Sequence, residues 1–237
     1  MPGKAHVTAI VVLTLCFTMS PRTPIAAEQS VTVMPAKFVE GEKSLRNLIN
    51  HPSVDGDYVV ILSCFADVSI RGRMSHTVCS YQDESALMFS KAVERAGKRA
   101  RLSPAILNGE KKKIWLQFTA IFLKDIEGED IQIFNNVREN VDRYGDEYIG
   151  AQRIDWFDFP KTCRQFYDWF ALARVNIAVD GSPRDFEWEP SSTNMPNGCE
   201  DTLKILMLTS NYIPAFYQGK PVDSTYAEPW FTNRHIR

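Results

Sequence analysis

Apolar and polar positions alternate twice along this chain, and each time the pattern predicts a β-hairpin. Leu62, Cys64, Ala66, Val68 and Ile70 line one face of a strand that ends at a turn through Arg71-Gly72, and Met74 to Ser80 returns. Ala171, Ala173, Val175, Ile177 and Val179 repeat the pattern up to Asp180-Gly181, and Asp185-Phe186-Glu187-Trp188 returns. After each hairpin the period becomes helical. Phe89, Val93, Ala96 and Ala100 form the inward stripe of a helix from about Ser85 to Arg99, capped by Asp83 or Ser85, with Lys91, Arg95, Lys98 and Arg99 toward water. Leu203, Leu206 and Met207 play the same part in a helix from Cys199 to Ser210.

A repeated phrase closes each helix. Leu102-Ser103-Pro104-Ala105-Ile106-Leu107-Asn108-Gly109 recurs as Tyr212-Ile213-Pro214-Ala215-Phe216-Tyr217-Gln218-Gly219. Proline stops the helical run, and glycine turns the chain into a last strand, Lys113 to Phe122 in one copy and Val222 to Phe231 in the other. Pro229 suits an edge strand. The chain thus reads as an α+β tandem of one small module, with divisions at 1–27, 28–128 and 129–237. A duplicated unit without a catalytic constellation points to binding, because a surface shape can be used twice. The segment from Ile126 to Thr162 has no such counterpart, and a helix around Val137 to Arg143 is expected to open the second domain.

The first 27 residues read as a secretory signal. Lys4 and His6 precede the apolar run Val7 to Met19, and Ile25-Ala26-Ala27 offers a cleavage site before Glu28. The run is shorter than the roughly 18 to 20 apolar residues a membrane span needs. Without this segment 25 basic and 29 acidic residues remain, a balance that argues against nucleic-acid binding. The first domain carries about +2 and the second about −6. Export also leaves Cys64, Cys79, Cys163 and Cys199, an even number in a compartment that permits disulfides. With a two-residue loop at Arg71-Gly72, Cys64 and Cys79 fall opposite one another as a hydrogen-bonded pair of wide Cα spacing. Cys163 and Cys199 then pair within the second copy. No CxxC spacing or histidine grouping suggests a metal, and no cofactor is expected.

The phrase Tyr-x-Pro-Ala-x-x-x-Gly-Lys-Pro-Val from Tyr212 to Val222, supported by Val175 to Gly181, resembles the TonB C-terminal domain family. The first copy departs from it with Leu102 for the tyrosine and Lys111-Lys112 for Lys-Pro. The resemblance covers about 65 residues in each copy. It implies a three-stranded antiparallel sheet packed by a helix on one side, in the periplasm of a Gram-negative bacterium. It also implies docking on envelope proteins such as outer-membrane transporters, through pairing with an extended peptide. Family members that transduce energy carry a membrane helix and a proline-rich linker, whereas Glu28 to Asp57 holds only Pro35 and Pro52. The expectation is therefore a non-catalytic periplasmic binding module. An energy-transducer component with a retained anchor is the first alternative. The second is a hydrolytic enzyme at the interdomain seam, drawing on His51 or His76 with Asp155 or Glu187.

Binding of that kind would proceed by strand addition, since a sheet edge presents unpaired backbone donors and acceptors. The last strands, Ile114 to Phe122 and Ser224 to Phe231, are the candidate edges. Ile114, Leu116, Phe118, Tyr212, Pro214, Thr225 and Tyr226 are the expected partner-binding residues. The competing uses of these edges are ordinary sheet packing, pairing between the copies and an edge-mediated homodimer. Lys111-Lys112-Lys113 reads as a solvated loop, and the aromatic runs 155–159 and 166–170 read as buried in the second core or the interdomain seam.

Overall fold

The computed structural model describes residues 32–80, 83–154, 160–164, 169–190 and 195–232. Its first copy runs β1 (Val33–Met34), β2 (Lys37–Phe38), α1 (Leu45–Leu48), β3 (Tyr58–Val68), β4 (Met74–Ser80), α2 (Leu87–Gly97), β5 (Leu102–Ser103), β6 (Ala105–Leu107), β7 (Glu110–Lys112) and β8 (Ile114–Asp125). Strand β9 (Gly128–Phe134) and helix α3 (Arg138–Tyr144) follow. The second copy runs β10 (Tyr148–Ile149), β11 (Gln152–Ile154), β12 (Trp169–Ile177), β13 (Pro183–Pro190), α4 (Cys199–Thr209), β14 (Tyr212–Ile213), β15 (Ala215–Tyr217), β16 (Lys220–Val222) and β17 (Ser224–Thr232). The fold is α+β and its strands pair antiparallel. Alternation does its work in both long hairpins: Leu62, Cys64, Ala66 and Val68 are buried against α2, and Ala171, Ala173, Val175 and Ile177 belong to a second core with α4.

Both hairpin loops hold three residues. The Ser69 N–H donates to the Arg73 carbonyl at 3.0 Å and the Gly72 N–H to the Ser69 carbonyl at 2.8 Å, and Ala178, Ser182 and Gly181 repeat this geometry. Ile70 is therefore a loop residue, 45% exposed, rather than the end of the apolar face. Glycine is required at the third loop position on two counts. Its φ is +67° at Gly72 and +84° at Gly181, and a Cβ there would lie 1.9 Å from the Leu102 carbonyl oxygen or 2.4 Å from that of Tyr212. The first residue of the repeated phrase thus packs its backbone against the hairpin turn in both copies.

Beyond each loop a bulge shifts the register by one residue, with His76 and Asp185 both at φ +48°. In the first copy the longer loop and the bulge offset one another, so Cys64 still faces Cys79. The wide spacing expected from a two-residue loop is corrected: the Cα atoms of this disulfide are 4.0 Å apart, the narrow kind of cross-strand pair. A second disulfide joins Cys163 to Cys199 at the start of α4, with a Cα separation of 4.8 Å.

The helices follow their stripes. Phe89, Val93 and Ala96 of α2 are buried, as is Ala100 just beyond it, while Lys91, Arg95, Lys98 and Arg99 are exposed. The Asp83 carboxylate accepts from the Ser85 N–H at 2.8 Å, capping the short 3₁₀ turn that leads into α2. In α4 Leu203 and Met207 are fully buried and Leu206 partly so.

The repeat is larger than the sequence pattern suggests. Strand β1 pairs with β6 and β2 with β5 in the first copy; β10 pairs with β15 and β11 with β14 at the matching places in the second. Each copy therefore begins with a short strap laid against its own repeated phrase. Asn108 and Gln218, one residue before the turn glycines, both have positive φ, at 55° and 51°. The last strands diverge. Strand β8 pairs with β3 along one edge and, along the other, with β9 over residues 119–125 and with β11 at Ile114 and Trp115. Strand β17 pairs with β12. The first sheet thus continues past Gly128 to Phe134.

Candidate binding site

Six of the seven expected partner-binding residues lie inside the protein. Ile114, Leu116 and Phe118 are at most 3% exposed and belong to the first core, and Tyr212 and Tyr226 belong to the second at 2% each. Pro214 is also buried. Thr225 alone is exposed, and its hydroxyl donates to the Asn176 side-chain oxygen at 2.9 Å. Side chains that alternate inward from a strand fill the core, whereas strand addition uses the backbone edge.

A side-chain hydrogen bond joins the two last strands. Gln117 Nε2 of β8 donates to the Ala227 carbonyl of β17 at 2.7 Å. That carbonyl faces away from β12, so by alternation Thr225 and Pro229 also turn their backbone groups to the outer edge of β17. Pro229 accordingly lacks an N–H at a position where no ladder bond to β12 is lost.

A buried ion pair lies one residue further on. Arg153 of β11 grips Glu228 of β17 through Nε and Nη2, at 3.0 and 2.9 Å, and the Tyr226 hydroxyl donates to the same carboxylate at 2.9 Å. The Arg153 side chain is 3% exposed and that of Glu228 7%. Burial opposes the arginine charge, but Glu228 and Tyr226 together outweigh it and hold the guanidinium above its ordinary pKa. Burial, then the Glu228 charge, raises the Tyr226 hydroxyl well above the usual phenol value. The repeat register places Phe38 and Phe118 of the first copy where Arg153 and Glu228 stand in the second, and there an edge-to-face aromatic pair with ring centroids 5.2 Å apart fills the space.

Among the described residues the histidines do not converge on a shared site. His76 Nδ1 lies 2.8 Å from Asp67, and His51 lies 3.1 Å from the Tyr58 hydroxyl and 3.4 Å from Glu129. Glu187 is exposed on β13, and Asp155 lies outside the described residues. Trp169 is buried and Phe170 is 43% exposed; the remaining residues of the two aromatic runs, 155–159 and 166–168, lie outside the described residues. Among the described residues no group of three or more His, Cys, Asp or Glu side chains is arranged to hold a metal ion.

Burial raises the Asp67 carboxyl above its ordinary 3.8, against opposing pulls from His76, Arg153 and Lys113. The folded state therefore keeps this proton to higher pH than the unfolded chain. Its contribution to stability is complete below 3.8 and is lost as pH rises through the raised value. Asp67→Asn cannot ionise, so the melting temperature of the variant relative to wild type is expected to rise as pH increases across that window. A difference that stays flat or falls in a pair of pH-dependent melting series would contradict this sign.

A cleft of about 590 Å³ opens between α3 and the outer face of the second sheet. Arg143, Arg174 and Arg184 line it, together with Thr225 and Ala227 on the β17 edge. Arg174 pairs with Glu189 at 2.5 Å, and the Arg143 guanidinium sits 4.9 Å from the centroid of the Tyr144 ring. Tyr148, mostly buried at the cleft floor, has its hydroxyl pushed up to about 12 by burial. The arginines lie on α3, β12 and β13, far apart in the chain, and the net acidity of this half concealed them. A second cleft of similar volume lies beside β9, between Ile131 to Phe134 and the segment Phe38 to Asn47. No protein-family model, curated protein or solved structure matches this chain.

Proposed function

We propose that this protein is an exported, non-catalytic binding module of the TonB C-terminal type, which captures an extended segment of an envelope protein by adding it as a strand to β17. One observation carries the reading. The outer edge of β8 is occupied in cis by β9, an antiparallel strand laid against Thr119 to Asp125, whereas among the described residues the ladder of β17 runs to β12 and its outer edge meets Gln117 at the Ala227 carbonyl. The fold thus illustrates on one copy the kind of pairing that the other offers to a partner.

The cysteines support an exported compartment. Both disulfides are formed, and bonds of this kind persist where the surroundings are oxidising, as in the periplasm. Among the described residues no helix is long and apolar enough to cross a membrane.

Thr225→Pro tests the binding mode. It removes an outward N–H and places a ring at the edge while leaving the ladder to β12 intact. The variant is expected to fold and to lose about tenfold or more in partner capture, read by crosslinking in the periplasm. Gln117→Pro is a poorer test, because it also removes the bond to Ala227. Undiminished capture by a folded Thr225→Pro protein would eliminate strand addition at β17.

A further inference from the structure

The cations of the first copy collect around one turn and one helix end. Backbone pairing brings them together: Arg73 bridges Arg101, the Arg101 N–H donates to the Lys43 carbonyl at 3.1 Å, and the Leu102 N–H donates to the Gly72 carbonyl at 2.9 Å. Residues joined in an antiparallel bridge project to the same side, so Arg73 and Arg101 share one surface. Helix α2 ends four residues before Arg101 and adds Arg95, Lys98 and Arg99. The Arg99 guanidinium donates to the Leu48 carbonyl at 3.1 Å and that of Arg101 to the Ala100 carbonyl at 2.8 Å, so both are pinned at the helix end. Segments 39–43, 69–73 and 94–101 together hold seven basic residues against three acidic ones, Glu40, Glu42 and Glu94, a net charge of +4. Among the described residues none of the seven is in an ion pair, and the Glu94 carboxylate accepts from the Ser90 hydroxyl at 3.1 Å.

Two ordinary uses fail to account for this excess. A helix C-terminus carries about half a negative charge, far less than the surface supplies. The frame needs no cation either. In the second copy the turn glycine approaches the repeated phrase in the same way, with Asp180 and Ser182 where the first copy has Arg71 and Arg73. The end of α4 has Ile205, Leu208, Thr209 and Asn211 where α2 and its exit have Arg95, Lys98, Arg99 and Arg101. What both copies keep is an exposed aliphatic residue in the turn, Ile70 or Val179. In the first copy alone it stands among cations. The loop that presents Ile70 is held in place, since the Ser69 hydroxyl oxygen accepts from the Arg71 and Arg73 N–H groups at 3.4 and 3.1 Å.

We infer that this surface docks on a bilayer containing anionic phospholipid, with Ile70 entering the headgroup layer and the neighbouring cations meeting phosphate oxygens. A membrane interface offers hydrocarbon and anionic oxygen side by side, the two chemistries that an exposed aliphatic residue among Lys and Arg matches. A nucleic acid or an acidic protein would use the charges and leave Ile70 in water. The rest of the chain sets the orientation: with the second copy near −6, a negative surface attracts the first copy and repels the second. The docking makes no use of β17 and is independent of strand addition.

Cosedimentation of the full exported chain with phosphatidylcholine vesicles, with and without about 30% phosphatidylglycerol, tests this. At low salt the mixed vesicles are expected to bind roughly tenfold more tightly than the neutral ones, and about 0.5 M salt is expected to remove the difference. An Arg71→Asp/Arg73→Ser/Lys98→Gln variant is expected to lose the preference. Its replaced side chains are exposed, and the first two changes install residues that the second-copy turn already carries. Should it fail to fold, Lys43→Gln/Arg95→Gln carries the same expectation without touching the turn. Ile70→Ser, with every charge kept, is expected to bind the mixed vesicles several-fold more weakly. Equal sedimentation with both vesicles, a preference that survives charge removal in a folded variant, or an Ile70→Ser protein that binds as wild type does would overturn the inference. A DNA duplex or polyglutamate bound as tightly as the mixed vesicles, with no loss in Ile70→Ser, would assign the surface to a soluble polyanion instead.

Discussion

Replacing Glu228 by alanine is expected to destabilise the protein by about 3–5 kcal/mol, the usual effect of leaving one partner of a buried ion pair without the other. Arg153 would remain at 3% exposure with two of its donors unmet, and the Tyr226 hydroxyl would lose its acceptor. The molecule itself suggests the compensating change. In the first copy the same two positions are Phe38 and Phe118, and their ring contact holds the strap against the last strand without any charge. An Arg153→Phe/Glu228→Phe variant is therefore expected to recover most of what Glu228→Ala loses, because a well-packed apolar pair often matches a buried ion pair in stability. Urea denaturation of wild type, the single variant and the double variant measures this. A double variant as unstable as the single one would mean that the second copy needs the pair for more than filling space, for instance to hold Tyr226 and Tyr212 in place.

That pair also marks the boundary of what the sequence could disclose. The hairpins, both long helices and the repeated turn phrase announce themselves through local period and through proline and glycine, because those signals act over a few neighbouring residues. The straps β1, β2, β10 and β11 do not. Strands of two or three residues show no period, and only their pairing to the repeated phrase makes them part of the module. Ile131 and Ile133 alternate with polar residues as a strand should, yet nothing local says that β9 folds back to fill the edge of β8. The ion pair joins residues 75 apart, and the cleft gathers arginines from three elements. Contacts of that separation are set by topology, so their residues carry no mark in the sequence. The expected binding residues went inward for a related reason: the apolar positions that reveal a strand are the ones it buries, whereas its capacity to bind lies in backbone groups that every residue possesses.

The two copies have consequently diverged by position rather than by fold. Gly72 and Gly181, His76 and Asp185, and Asn108 and Gln218 keep the same backbone conformations, so the frame is held by turns and bulges. Between them the side chains differ. One copy carries Cys64 and Cys79 across its hairpin, and the other ties Cys163 to its helix. Strand β9 pairs along one last strand, and among the described residues the other pairs with β12 alone.

Removing the Cys163–Cys199 bond should show that this support is local to the second copy. The bond spans 36 residues and its loss should cost about 4 kcal/mol on a chain-entropy basis, against about 3 kcal/mol for the 15-residue separation of Cys64–Cys79. The larger value belongs to the crosslink that anchors the entry to β12. The Cys163 carbonyl accepts from the Trp169 indole at 3.1 Å, and Thr162 donates to Thr202 of α4 at 3.0 Å, so the chain is fastened to the helix just before the strand that supports β17. A Cys163→Ala/Cys199→Ala variant is therefore expected to lower the urea midpoint more than Cys64→Ala/Cys79→Ala does. It should also speed native-state hydrogen exchange at the β12–β17 ladder while leaving β3–β8 amides comparatively protected. Exchange that accelerates evenly in both sheets would contradict the local account, because it would mean that the disulfide stabilises the molecule only through its unfolded state. Selective loosening of β12 and β17 would instead tie the bond to the edge proposed for strand addition, since an incoming strand can be held no more firmly than the strand it joins.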